Sequence, residues 1–129
     1  MYRLTQQIQA GLQSMNLQPN LLIEYLQSFF GNANLQFWIT AISGSIYQII
    51  VVHENILFYF SFDGRKVDVH TLGLRQIRRI DESYNGSQYI INIFDSNNSN
   101  VPFYSANTIH NELRNDYRRL ANFLLVGMR

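Results

Sequence analysis

The stretch LGLRQIRRI, residues 72–80, sets Arg75, Arg78 and Arg79 among Leu72, Leu74, Ile77 and Ile80. Arginines can grip a phosphate or a carboxylate through paired N–H donors. Arg65 and Lys66, in DGRK at 63–66, add a second cationic pair. The five would form one anion-binding patch if the strands bring them together. Tyr84 and Tyr89 are of a type that stacks on nucleobases. Against this, Asp63, Asp68, Asp81 and Glu82 are interspersed, which suggests local ion pairing, and the formal net charge is only +1. Nucleic-acid binding needs a concentrated basic footprint. It therefore stands as an alternative, and a solvated charged face is the default.

Catalytic chemistry finds little to work with. Asp68 and His70 lie two residues apart on a predicted strand and so share a face, as a metal or acid–base pair would. Such a pair is more often plain surface. Neither His53 nor His110 belongs to a recognisable metal motif, and no H-E-x-x-H, G-x-S-x-G or glycine-rich phosphate loop occurs. Asp63, Lys66 and Asp68 lack the Asp…Glu-x-Lys spacing of a nuclease. The absence of cysteine removes thiol nucleophiles, disulfides and thiolate zinc sites. No catalytic residue, metal or cofactor is expected, and the chain reads as a non-enzyme.

The 129 residues suit a single domain. Apolar residues make up 47% and aromatics 14%, but charged residues only 15%, against roughly 25% in ordinary soluble proteins. So little solvated surface suggests that some of it is covered by a partner. The N-terminal stretch has no apolar core of signal-peptide type, and no window is long and apolar enough to span a membrane. A cytoplasmic location is expected. The sequons at Asn85 and Asn97 then read as turn residues.

Leu4, Ile8, Leu12 and Met15 recur at helical spacing, as do Leu22, Ile23, Leu26, Phe29 and Phe30, so residues 1–31 read as a helical hairpin. From Leu35 the period becomes two. LQFWITAI, IYQIIVVH, ILFYFSF, KVDVHT, SQYIINIF and VPFYS supply short strands within 35–105, with turns at SGS, HEN, DGRK and Asn85-Gly86. Tight turns favour antiparallel pairing. Ile109, Leu113, Tyr117, Leu120 and Leu124 mark a final helix over 107–127, capped by Asn107 or Thr108 and ended at Gly127. The fold class is α+β, with about seven antiparallel strands.

This order of elements, with Leu74, Ile77 and Ile80 spaced as Leu-x-x-Ile-x-x-Ile and followed by DESYNG, resembles the bacterial pleckstrin-homology-like (PH-like) domains over roughly residues 35–124. The resemblance implies a seven-stranded barrel closed by the C-terminal helix. Leu74, Ile77 and Ile80 would plug one end, with the arginines between them facing out. Phosphoinositide-binding PH domains carry basic residues between the first two strands. Here that loop, ISGSIY, has none, which argues against such a ligand.

The strongest signal is in the middle hairpin. Tyr47, Ile49 and Val51 alternate with Ile46, Ile50 and Val52, and Phe58, Phe60 and Phe62 with Leu57 and Tyr59. Strands apolar on both faces need covering on both. Either the N-terminal helices or another protein must cover the outer face. The leading expectation is a non-catalytic protein-interaction or self-association module docking through Tyr47, Ile49, Leu57 and Tyr59. A second is a secretion-chaperone-like protein binding an effector peptide, with TLGLRQIRRIDESY as a helix. The third is a nucleic-acid-associated factor using Arg75, Arg78 and Arg79.

Overall fold

The computed structural model describes residues 2–43, 46–97, 100–108 and 111–127. Helices α1 (Tyr2–Ser14) and α2 (Asn20–Phe30) precede strands β1 (Gln36–Ser43), β2 (Ile46–His53), β3 (Ile56–Phe62) and β4 (Val67–Gly73). One 3-10 turn (Leu74–Gln76) leads into β5 (Ile77–Tyr84), β6 (Tyr89–Asp95) and β7 (Tyr104–Thr108), and α3 (Asn111–Gly127) follows. All pairing is antiparallel, in the orders β1-β2-β3-β4 and β5-β6-β7. The α+β expectation holds, but the single closed barrel does not form. The strands make two sheets, because the 3-10 turn redirects the chain between them. The Gly73 N–H donates to Gln76 Oε1, Leu74 N–H to the Asn55 carbonyl, and Ser96 N–H to the Gln76 carbonyl. The segment read as a possible helix is therefore strand, turn and strand, which lacks the helix that a secretion-chaperone-like arrangement requires.

Both faces of the larger sheet are covered from within the chain. On one face, Tyr47, Ile49 and Val51 lie in register with Phe62, Phe60 and Phe58. Helices α1 and α2 pack there. Phe30 meets Phe58 edge-on with ring centroids 5.1 Å apart, Tyr25 meets Phe60 at 6.2 Å, and Arg3 lies 5.3 Å over the Phe37 ring. Gly11 sits so close to Tyr47 that a Cβ would come within 2.7 Å of its ring. On the other face Trp38, Ile50, Val52, Leu57 and Leu72 are buried toward the smaller sheet and α3. There Tyr59 packs edge-on against Tyr104 at 4.6 Å, and Trp38 lies 5.0 Å from Phe123. The twin apolar faces of the hairpin thus reflect a middle layer.

Two bulges adjust the period. In β1 the register slips between Ile39 and Ala41, and the Thr40 carbonyl accepts a 2.6 Å hydrogen bond from the Tyr117 hydroxyl of α3. In β5 it slips between Ile77 and Arg79. Residues three apart cannot share a face of a regular strand, so this bulge lets Ile77 and Ile80 both turn inward. The last strand occupies Tyr104–Thr108, not 101–105, and places Tyr104 and Ala106 opposite Ile93 and Ile91. Pro102, which has no N–H to donate, precedes it. Asn107 and Thr108 are therefore strand residues and not helix caps; Ile109 and His110 lie outside the described residues.

Candidate functional site

One concave surface is a cleft of about 840 Å³. Asn55, Leu74, Arg75 and Ile77 form one wall; Asn122, Phe123, Leu124 and Val126 form the other. The sequence builds it from two local features. The 3-10 turn, pinned to the β2–β3 turn at Asn55, presents Leu74 and Arg75 side by side. Asn55 itself has φ 65° and follows Glu54 at φ 51°, as a two-residue hairpin turn requires. The second feature is the end of α3, which is apolar on more than its core stripe. Leu120 and Leu124 are buried, whereas Phe123 and Val126 are 36% and 67% exposed. A helix apolar beyond its buried stripe has surface left to cover.

The residues singled out in the sequence are distributed differently. Arg75 lines this cleft, while Arg78 and Arg79 are exposed on β5. Arg79 pairs with Asp81 at 3.1 Å and lies 4.0 Å over the Phe94 ring. Arg65 and Lys66 do not join them. The seven residues of β4 separate the two groups, roughly 20 Å of strand. Lys66 instead faces Asp68 at 3.7 Å, and Asp63 accepts the Arg65 and Lys66 N–H groups within the turn, which lowers its pKa. The one-patch expectation is corrected accordingly.

Tyr47, Ile49, Leu57 and Tyr59 do not form one docking surface. The first two face the N-terminal helices and the other two face the smaller sheet. Tyr47, Ile49 and Leu57 are fully buried. The protein's own layers satisfy the apolar character that suggested a partner there.

Asp68 and His70 are exposed near the β4 edge, and His70 lies 5.9 Å from the Tyr59 ring. His53 packs against Phe30 at 5.6 Å. Among the described residues no three His, Asp or Glu side chains converge on a possible metal position. Every displaced tyrosine is pushed upward. Burial is the main cause for Tyr47, Tyr59, Tyr104 and Tyr117, and burial with a hydrogen bond to Glu82 takes Tyr89 to about 12. These side chains are neutral hydroxyls at pH 7, suited to packing and hydrogen bonding. Asn85, within a sequon, accepts the Ser87 and Gln88 N–H groups and closes the β5–β6 turn, as a turn residue should.

Sequence reasoning missed the cleft's outer wall. Its trace was there: Phe123 and Val126 fall off the Leu113–Tyr117–Leu120–Leu124 stripe yet are apolar. By sequence, Leu74 and Ile77 suit two other places, the plug of a barrel or the apolar stripe of a helix, and neither is a cleft wall. No family model, curated protein or solved structure matches this chain.

Proposed function

We propose that this chain is a non-catalytic, PH-like protein-interaction module that docks an extended partner segment in the cleft between the 3-10 turn and the end of α3. The observation that carries the reading is that the cleft adjoins β5, the end strand of its sheet. Both faces of the larger sheet are already covered, so the sheet acts as a scaffold. The cleft gathers Phe123 and Val126, two of the exposed large apolar side chains, opposite Leu74, and its volume is within the range of roughly 300–1,000 Å³ typical of ligand sites. Strand β5 ends its sheet, with no strand among the described residues paired to its outer edge at Ile77, where it enters the cleft. An extended segment alongside it would gain backbone hydrogen bonds from that edge and side-chain burial from the walls. No convergent acid–base or metal-ligand group accompanies the cleft among the described residues, which favours binding over catalysis.

Val126→Asp tests the reading, because Val126 is well exposed and the change should leave the fold intact. Affinity capture from expressing cells should recover a discrete protein with the wild type and with Asn107→Asp, and lose it with Val126→Asp. Recovery of the same proteins by all three, with unchanged urea midpoints, overturns the proposal.

A further inference from the structure

We infer that the cleft selects a segment carrying an acidic side chain between apolar ones, and that Arg75 reads the carboxylate. The inference rests on the docking reading and gives the partner its chemistry.

The first observation is the sign of the charge. Among the described residues no Asp or Glu lines the cleft, and the one charged wall residue is Arg75. Arg75 is exposed, and among the described residues no carboxylate lies within 4.0 Å of it. The same holds for Arg78, two residues beyond the 3-10 turn. Arg79, by contrast, already has Asp81 and the Phe94 ring. The nearest acidic residue on the neighbouring strand is Asp95, opposite Ile77, and its carboxylate accepts the Asn97 N–H at 3.0 Å. Among the described residues, local neutralisation thus stops short of Arg75 and Arg78.

The second observation is the setting. Leu74 and Ile77 flank Arg75 in the chain, with Phe123 and Val126 across the gap. A docked segment that covered this guanidinium would also lower the local dielectric, and its attraction for a carboxylate would then be stronger than on open surface. Its forked donors meet a carboxylate bidentately. The Asn55 side chain, on the same wall, adds an amide that can hydrogen-bond the partner backbone. A segment of the pattern apolar–acidic–apolar matches walls and cation together. A basic segment would oppose Arg75, and a wholly apolar one would leave it without a partner.

Fluorescence anisotropy with three labelled peptides tests this: Gly-Ser-Leu-Val-Glu-Phe-Leu-Ser-Gly, and its versions with Gln or Lys in place of Glu. The Glu peptide should bind the full chain, the Gln peptide about tenfold more weakly, as loss of one charge-assisted contact implies, and the Lys peptide weakest. Arg75→Gln should remove the Glu-over-Gln preference without altering the Gln peptide's affinity. Arg75→Glu should invert the order toward Lys. Equal binding of Glu and Gln peptides overturns the inference and leaves docking intact. Binding of none of the three, while Val126→Asp still abolishes partner capture, does the same. A labelled oligo-dT strand that outcompetes the Glu peptide overturns it in favour of nucleic acid. Loss of the inference together with unchanged capture by Val126→Asp removes the docking reading as well.

Discussion

Tyr117 and Thr40 show how one sequence irregularity becomes an anchor. The β1 bulge turns the Thr40 carbonyl out of the strand ladder, and the Tyr117 hydroxyl meets it in the buried space beneath α3. Tyr117→Phe leaves a buried carbonyl unsatisfied and should cost about 1–3 kcal/mol, measured as a lower urea midpoint. Gly11 tests the helix–sheet contact. Alanine in a helix interior normally gains up to ~1 kcal/mol over glycine. Here the new methyl would meet the buried Tyr47 ring, so Gly11→Ala should lower the thermal midpoint instead of raising it.

Asp116 gives a pH signature. Its carboxyl is raised above its ordinary 3.8 chiefly by burial, against the opposing pull of Arg119, the Ile39 N–H and Arg3. The native state therefore takes up this proton before the unfolded chain does as pH falls. The contribution of Asp116 to stability is fullest below 3.8 and declines as pH rises through the raised value. Asp63, with its lowered pKa, acts in the opposite sense: its contribution holds above 3.8 and fades as pH falls through the lowered value. Asp116→Asn should remove one slope and leave the other. Its stability relative to the wild type should rise with pH in urea titrations run between about pH 3 and 6; a constant difference would count against this account.

At the scale of elements, helices and strands were legible wherever a period persisted. The apolar spacings in residues 1–31 except Phe29, the alternation in β2 and β3, and the α3 stripe from Leu113 onward found their places, because each reflects burial of one face. The segment 71–84 was ambiguous, since Leu74, Ile77 and Ile80 at three-residue spacing suit a helix as well as a bulged strand. Only pairing with β6, a non-local interaction, decides it. The start of α3 was misplaced for a similar reason. Asn107 and Thr108 are good cap types, but their cross-strand partners Ile90 and Tyr89 hold them in β7. The two-sided apolar hairpin predicts that α1 and α2 are part of the core. A chain of residues 32–129 should bind hydrophobic dye and sediment as aggregates. A monodisperse, cooperatively folding fragment would show that the helices are dispensable.

For the whole molecule, the layered arrangement explains why so weakly charged a chain can cover its own sheet. Helices shield one face, and the smaller sheet with α3 shields the other, so most aromatic rings lie between layers. The cleft was illegible in the sequence because its walls come from residues about 50 positions apart, and only the packing of α3 beside the 3-10 turn makes them neighbours. The proposed docking lies at this cleft, and the N-terminal helices cover the sheet. Site-specific photo-cross-linking separates these most directly, with p-benzoylphenylalanine in place of Phe123 in the cleft or of Phe29, 46% exposed on α2. Irradiation in expressing cells should yield a discrete protein adduct from position 123 and only background from 29. An adduct from position 29 with none from 123 would contradict the account.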